Sequence, residues 1–252
     1  MNLREALHTE LSSLRERELS PVGVAVLDTG IDSSHPDLRD RVIRAFEVER
    51  VGRRFRVAAR QLHANNDRLG HGTGVGSAIA AIAPNAHLVD IQVAGADKVG
   101  TGDALLAGLS FALECGFPLL NMSLACHRRL LEPLTELCEF AYFRNQVIVA
   151  ARRNMPLTDN GIPAELSSCI GAEDARLPTP YQLRFHDRHP IEFGAHGDGV
   201  VVAAPGGKYT LQTGTSYATS TLTGLCALLL GAFPELTPFE LKSVLKAHAI
   251  SQ

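Results

Sequence analysis

Short apolar runs rich in valine, isoleucine and leucine alternate along the chain with longer segments whose apolar residues recur at helical spacing. This alternation is typical of strands and helices wound around a parallel sheet. We therefore expect an α/β fold with three layers (α/β/α) and a mostly parallel central sheet. The predicted strands are residues 22–27, 42–48, 88–93, 119–123, 147–151 and 200–203, and the predicted helices are residues 3–17, 72–82, 103–114, 130–144, 217–232 and 238–248.

The ends of these segments suggest a simple domain organisation. Thr237, Pro238 and Glu240 form an N-cap, a first-turn proline and a capping box for the last helix. Residues 176–191 show no regular pattern, and we expect them to form a surface excursion. Because no Ser-, Gly- or Pro-rich linker interrupts the chain, we divide it into a helical extension, residues 1–20, and one domain, residues 21–252.

Composition and charge exclude several classes of protein. The 252 residues are 45% hydrophobic and 20% charged, which is ordinary for a soluble globular chain. A net charge of -3 gives no basic footprint for nucleic acid or an anionic membrane. No segment has the length and apolarity of a signal peptide or of a membrane span. The five cysteines are scattered and odd in number, which favours reduced thiols, no zinc site and a cytoplasmic location.

Candidate chemistry lies just after the predicted strands, at the edge where open α/β sheets usually place it. Asp28 follows the apolar run 24–27 and precedes Thr29 and Gly30, so a carboxylate sits where a buried strand becomes a turn. A turn or N-cap aspartate is one interpretation. The motif Asp-Thr-Gly also occurs in aspartic peptidases, but those enzymes need two such carboxylates and this chain has one.

His71 lies in a glycine-rich segment, residues 70–76, that opens a predicted helix. At the first turn of a helix the helix dipole disfavours the imidazolium, which keeps the ring available as a neutral base. A structural or exposed histidine is the alternative. A dinucleotide-binding loop is excluded, because the G-x-G-x-x-G spacing fails in every register and no strand precedes the glycines.

Ser216 and Asn154 complete the candidate set. Ser216 follows Gly214 and Thr215 at the start of a small-residue helix, where its hydroxyl is exposed and its own N–H faces a developing oxyanion. A helix N-cap is the alternative for this serine. Asn154 follows the apolar run 147–151 and is either an amide donor at the sheet edge or a turn residue.

Together these segments resemble the subtilisin-like serine peptidases. Residues 26–32 (VLDTGID), 70–73 (GHGT) and 214–216 (GTS) are similar to the aspartate, histidine and serine segments of that family, and they occur in the family's order. Further similarities are found at Ala83-Pro84, at residues 120–124 (LNMSL), at residues 162–164 (IPA) and at residues 203–206 (AAPG).

The resemblance implies a subtilisin-like fold and hydrolysis of peptide bonds through an acyl-enzyme. In that mechanism Ser216 is the nucleophile, His71 the general base and Asp28 the residue that orients His71, while Asn154 and the Ser216 N–H stabilise the oxyanion. The substrate-binding residues implied by the family are Ser123, Leu124, Ala125, Ala151, Arg152 and Arg153.

The sequence departs from the family pattern beside the nucleophile. Arg152 and Arg153 replace the small residues that usually precede the oxyanion asparagine, so they either close the pocket for the P1 residue or select an acidic P1 side chain. Alternatively, both arginines point to solvent or pair with acidic groups. Gly74 and Ser220 stand where the family usually has histidine and proline, and neither change touches a reacting atom. Ala125 stands where the family's substrate-pairing strand usually has glycine, so we expect its methyl group to lie close to the substrate backbone and to restrict access.

The sequence therefore predicts a serine endopeptidase whose partner is a peptide or protein substrate, and it implies no cofactor. The predicted histidine helix runs straight into Ala83-Pro84 without the family's calcium loop, so we expect no metal site. About twenty residues precede the first strand, so we expect no prodomain and a dedicated role such as precursor or leader-peptide processing. A peptide-binding pseudopeptidase and a transpeptidase are the alternatives, and the oligomeric state is open.

Overall fold

A computed structural model describes residues 3–95, 102–155 and 159–250. The strands are β1 (Val22–Asp28), β2 (Val42–Val51), β3 (Arg54–Ala59), β4 (Ala86–Gln92), β5 (Leu119–Met122), β6 (Val147–Ala151), β7 (Ile170–Asp174), β8 (Leu183–Phe185), β9 (Phe193–Ala195), β10 (Val200–Ala204), β11 (Lys208–Gln212) and β12 (Ala249–Ile250). The helices are α1 (Leu3–Ala6), α2 (Leu11–Leu14), α3 (His71–Ile82), α4 (Gly102–Glu114), α5 (Leu131–Phe143), α6 (Thr215–Ala232) and α7 (Pro238–His248), with a 3₁₀ turn at Arg128–Leu130.

Ten of these strands form one sheet in the order β12-β8-β9-β7-β6-β5-β1-β4-β2-β3. The neighbouring pairs from β9 to β2 run parallel, while β3 and β8 are antiparallel to β2 and β9. The carboxyl ends of the parallel strands therefore meet at one edge of the sheet. There β1 ends at Asp28, and the segments that follow β5 and β6 carry Ser123 and Asn154.

The two faces of the sheet are covered by different helices. Val24 and Val26 of β1 belong to the core shared with α3, α6 and α7, whereas Ala25 and Leu27 belong to the core shared with α4 and α5. This is the alternation expected of a strand that is buried on both faces. The predicted three-layer α/β/α fold is therefore confirmed.

The helix α6 is buried along nearly its whole length, because every residue except the last is buried. A Cβ on Gly224 would lie 2.6 Å from Cβ of Ile82, so glycine is needed where α6 crosses α3. This close packing fixes the helix that begins beside Ser216 against the helix that begins at His71.

Several predicted elements need correction. The single helix over residues 3–17 is wrong, because the described part contains only the short helices α1 and α2; Leu11 and Leu14 pack into the main core. Strand β10 was placed correctly along the chain, but it pairs antiparallel with β11 in a separate two-stranded sheet. Residues 176–191 are not merely a surface excursion, because they contain β8 and bury Leu183 and Ile191 completely.

Among the described residues, no helix is both long enough and apolar enough to cross a membrane. The predicted capping box of α7 is present, with Thr237 accepting from the Glu240 N–H and Glu240 accepting from the Thr237 N–H. The division at residue 20 stays a prediction.

Candidate active site

Asp28 is the last residue of β1, and its side chain is only 1% exposed at the carboxyl edge of the sheet. One carboxylate oxygen, Oδ1, accepts hydrogen bonds from the Thr29 N–H at 2.8 Å and from His71 Nδ1 at 2.6 Å. A proton on Nδ1 leaves the other ring nitrogen, Nε2, with a lone pair. Asp28 therefore holds His71 in the tautomer that a general base needs.

His71 is the first residue of α3, and Gly70 before it has φ 87°, a left-handed conformation that favours glycine. The buried Asp67 fixes the start of this helix. Its Oδ1 accepts from the Gly70 N–H at 2.8 Å and from the Thr29 hydroxyl at 3.0 Å, and its Oδ2 accepts from Thr73. The same carboxylate thus connects the turn after β1 to the first turn of α3.

Asp67 was missed at the sequence level. The usable signal was an acidic residue four positions before the predicted histidine, at a place where it could cap the helix. Gly72 completes the junction, since a Cβ there would lie 2.2 Å from the carbonyl oxygen of Gly30. The backbone of α3 therefore approaches the turn after β1 more closely than any side chain allows.

Ser216 is the second residue of α6 and is 8% exposed. Its hydroxyl donates to the carbonyl oxygen of Ser123 at 3.2 Å, and the Ser123 hydroxyl donates to the carbonyl oxygen of Ser216 at 3.1 Å. Within the described residues no hydrogen bond joins Ser216 to His71. The structure therefore brings Asp28 and His71 together, whereas the Ser216 hydroxyl is bonded to the Ser123 carbonyl oxygen just after β5.

Asn154 lies beside the start of α6. Its side-chain amide oxygen, Oδ1, accepts from the Thr215 N–H at 3.1 Å and from the Thr215 hydroxyl at 2.9 Å. The Thr215 hydroxyl also lies 2.7 Å from the carbonyl oxygen of Arg152. These contacts orient the amide, and its NH₂ group donates to no described residue. Asn154 therefore presents an unused donor next to Ser216.

Tyr217 follows the nucleophile candidate and is buried, with its ring centroid 6.1 Å from that of His71. Burial and then the charges of Asp28 and Asp67 raise the pKa of Tyr217 to about 12, so the phenol stays neutral in ordinary buffers. A Cβ on Gly74 would lie 3.3 Å from the Tyr217 ring and hydroxyl. The missing side chain at position 74 therefore makes room for this tyrosine.

Arg152 and Arg153 both form ion pairs within the chain. Arg152 pairs with Glu173 on β7, and Arg153 pairs with Asp159 at 3.2 Å. A second bond from Arg153 goes to the carbonyl oxygen of Cys126 at 3.0 Å. The guanidinium of Arg153 therefore connects the segment before Asn154 to the segment that follows Ser123.

The other predicted substrate-binding residues lie along the same two segments. Ala151 ends β6 and is buried, while Leu124 and Ala125 are half-buried beside a cavity of about 200 Å³. Gly161 has φ 95°, and a Cβ there would lie 2.8 Å from Cβ of Ala125 and 3.4 Å from Cβ of Arg153. The space between the two segments is therefore narrow.

A further buried carboxylate lies beneath the site. Asp90 on β4 accepts from the Ile31 N–H at 3.1 Å through one oxygen, and its other oxygen has no partner among the described residues. Burial raises the pKa of Asp90 well above its ordinary value. Among the described residues no three His, Cys, Asp or Glu side chains come together as metal ligands would.

Comparison with known proteins gives a consistent result for the sequence. The sequence profile described as the subtilase family matches residues 20–251. Subtilisin DY of Bacillus licheniformis is 30% identical, and the match covers 90% of this chain and 83% of that protein. The major intracellular serine protease of Bacillus subtilis (strain 168) is 29% identical, over 82% of this chain and 68% of that protein.

Solved structures give the same fold. The S41 psychrophilic protease superposes with a TM-score of 0.73 at 23% identity, covering 93% of this chain and 87% of its own. Sphericase superposes with a TM-score of 0.71 at 23% identity and the same coverage. At this level of identity the likeness establishes the architecture and not the role of any residue.

Proposed function

The chain belongs to the subtilase family and is a subtilisin-like serine endopeptidase, and from this premise we propose that Asp28, His71 and Ser216 form its catalytic triad. The observation that carries the proposal is the 2.6 Å hydrogen bond from His71 Nδ1 to the buried Asp28 carboxylate. In the reaction His71 Nε2 removes the Ser216 proton, the serine oxygen attacks the peptide carbonyl, and the amine leaves with that proton. Water then hydrolyses the acyl-enzyme.

The proposal requires the Ser216 hydroxyl to leave the Ser123 carbonyl and to bond His71 instead. Such a change needs only a rotation about the Cα–Cβ bond between staggered rotamers. Catalytic hydrogen bonds are often absent in unliganded proteins and form when substrate binds. A substrate strand that pairs with the segment after β5 favours this rotation, because it competes for the Ser123 carbonyl oxygen.

Asn154 and the Ser216 N–H supply the oxyanion donors in this mechanism. The unused NH₂ of Asn154 supports its role as an oxyanion donor. Because Thr215 already holds the Asn154 amide in place, the amide need not reorganise when negative charge develops on the substrate oxygen. Asn154→Ala is expected to lower kcat by about 10²–10³, a figure taken from subtilisin. KM should change little, because the donor acts on the transition state.

The triad is tested by kinetics on a peptide identified in a cleavage screen. Ser216→Ala and His71→Ala should each lower kcat by roughly 10⁴ or more, and the double variant should be no slower than either single variant. Additive losses, or a Ser216→Ala variant that retains more than a few per cent of activity, would refute the assignment.

We retain the predicted preference for an acidic P1 residue, with Arg153 as the residue that reads it. Its ion pair with Asp159 satisfies part of the guanidinium, so an acidic side chain must share or replace that partner. Asp159→Asn should therefore raise kcat/KM for Glu or Asp at P1 relative to Leu by several-fold. Glu173→Gln, which frees Arg152 in the same way, serves as the matched control, because Arg152 bonds Asn160 and Glu173 and, among the described residues, its side chain makes no bond to the segment after Ser123.

A peptide library in which P1 alone is varied measures this preference. Apolar residues cleaved best by both the native protein and Asp159→Asn would overturn it. Arg153→Ala should widen the P1 pocket, because the Arg153 guanidinium also bonds the Cys126 carbonyl oxygen and so holds the two segments together.

We also propose that the enzyme acts in the cytoplasm on a specific precursor or leader peptide. Support comes from the relatives named as intracellular serine proteases and from five cysteines that carry free thiols, all within the described residues. Incubation of a candidate precursor with and without an added amine would separate hydrolysis from acyl transfer, since only transfer gives an amide product. A broad cleavage pattern over unrelated unfolded proteins would contradict the dedicated role.

A further inference from the structure

Charge is distributed unevenly over the chain, and the β2–β3 hairpin is strongly basic. Residues 42–60, which comprise the hairpin and Arg60 directly after it, contain six arginines and two glutamates, a net charge of +4 in a chain whose net charge is -3. The two glutamates are already paired, Glu49 with Arg56 and Glu47 with Arg60. The excess positive charge must therefore lie elsewhere on the hairpin.

That excess is concentrated at the tip of the hairpin. Arg50, Arg53 and Arg54 are exposed, and none of them has a carboxylate within 4 Å among the described residues. In the described part of the chain, the side chains of these three arginines make one hydrogen bond, from Arg50 Nε to the carbonyl oxygen of Gly52. Three guanidinium groups within five residues repel one another, so a bound anion stabilises all three.

The tip of the hairpin lies beyond the same carboxyl edge of the sheet as the candidate active site. Glu47 of β2 is level with Gln92 of β4, and Gln92 is level with Asp28 of β1. The tip is therefore roughly 15 Å beyond the carboxyl edge and roughly 10 Å sideways from Asp28, from strand rise and spacing. Ser216 contacts Ser123 at the end of β5, one strand farther from the hairpin than β1, so the distance from the nucleophile is roughly 20 Å and about six residues of an extended peptide span it.

The edge of β3 supplies a second feature that fits an extended chain. β3 is the last strand of the ten-stranded sheet, and within the described residues it pairs only with β2. Its outward N–H and C=O groups can therefore pair with a peptide strand. Arginines on an edge strand also discourage pairing between copies of a protein, and the experiment must distinguish these two roles.

We propose that the tip of the β2–β3 hairpin, with Arg50, Arg53 and Arg54, binds an acidic segment of the peptide substrate about six residues from the scissile bond. This inference rests on the proposed function, because it assumes that the ligand is the substrate of Ser216. The enzyme would then select acidic peptides through contacts on the hairpin that are separate from the P1 pocket.

The test compares two peptides that share one cleavage sequence. One peptide carries four Glu or Asp residues about six positions from the scissile bond, and the other carries Gln or Asn at the same positions. Each peptide is made in two versions, with these four residues N-terminal or C-terminal to the scissile bond. The acidic peptide should have a kcat/KM about tenfold higher at low salt, and the ratio should fall towards one in 0.5 M NaCl. A ratio of one at low salt for both placements would overturn the proposal.

Variants locate the effect on the hairpin. Arg53→Glu/Arg54→Glu should abolish the tenfold ratio of kcat/KM. Arg53→Gln/Arg54→Gln should reduce the same ratio, and this variant replaces the first one in the test if the charge reversal impairs folding. Arg15→Glu/Arg17→Glu, which changes the net charge equally on the N-terminal segment, should keep the ratio. Loss of solubility in the hairpin variant with an unchanged ratio would show that the arginines only protect the sheet edge.

Binding separates this proposal from the catalytic one. Ser216→Ala should bind the acidic peptide more tightly than its neutral partner in fluorescence anisotropy, even if the native protein cleaves neither. If the native protein cleaved the acidic and the neutral peptide equally well, the proposed triad would stand and the proposed hairpin site would be refuted. Equal affinity for a single-stranded DNA oligomer would show a general polyanion surface and would overturn the peptide assignment.

Discussion

Gly72→Ala is a sharp test of how the fold positions His71, the proposed general base. A Cβ at position 72 would lie 2.2 Å from the carbonyl oxygen of Gly30 and 3.1 Å from Cβ of Asp28. Real Cβ contacts essentially never fall below 3.0 Å, so the first turn of α3 and the turn after β1 must separate by at least 0.8 Å, the difference between 3.0 and 2.2 Å. These are the two segments that carry His71 and Asp28.

The expected loss follows from this displacement. A misplacement of about 1 Å at reacting groups costs about 10²-fold, so kcat/KM should fall by roughly 100-fold or more. Backbone overpacking should also destabilise the fold by about 1–3 kcal/mol. For a chain of this length that corresponds to a decrease in Tm of roughly 2–12 °C.

Gly76→Ala on the same helix is the matched control. Its Cβ would meet the end of the Ile31 side chain at 3.1 Å, and that atom can move. Both variants gain the same helix propensity, about 1 kcal/mol from Gly to Ala. Gly76→Ala should keep kcat/KM within about threefold of the native protein. A Gly72→Ala variant that is folded and as active as Gly76→Ala would refute the positioning argument.

Substitutions at three other positions test the surroundings of the proposed triad. Thr215→Val removes the hydroxyl that bonds Asn154 and should lower kcat several-fold with little change in KM, whereas Thr215→Ser should not. Tyr217→Phe should stay within about threefold of native kcat/KM because it keeps the ring beside His71, and Tyr217→Ala should lose roughly tenfold or more. Asp90 has a raised pKa, so its folded form binds a proton more tightly than its unfolded form, and native stability should fall relative to Asp90→Asn as the pH rises above about 4. Thermal unfolding between pH 4 and pH 8 measures this difference, and parallel curves would contradict it.

The regular parts of the fold could be predicted because their local patterns agree with their final environments. Strands β1 and β6 are continuous apolar runs, and both are buried on two faces in the structure. The short strands β8 and β9 have only three residues each; they pair with each other, and their other neighbours in the sheet are β12 and β7. Local propensity carries little information about such strands, so they were missed.

The hairpin strand β3 was missed although its sequence carries a strand signal. Phe55, Val57 and Ala59 lie on one face of the strand and alternate with Arg54 and Arg56 on the other, which is the period expected of a half-buried strand. At the site, the sequence motifs predicted Asp28, His71 and Ser216, but they could not show the roles of Asp67 and Thr215. Those roles depend on contacts across the sheet edge that no local pattern encodes.

The most direct test of the account is labelling with a fluorophosphonate, followed by mass spectrometry of the digested protein. Serine nucleophiles activated by a histidine react with this probe, whereas an N-cap serine does not. We expect one adduct, on Ser216, that disappears in Ser216→Ala and is strongly slowed in His71→Ala. A folded native protein that remains unlabelled, or that carries its adduct on another serine, would contradict the assignment of Asp28, His71 and Ser216 as the catalytic triad.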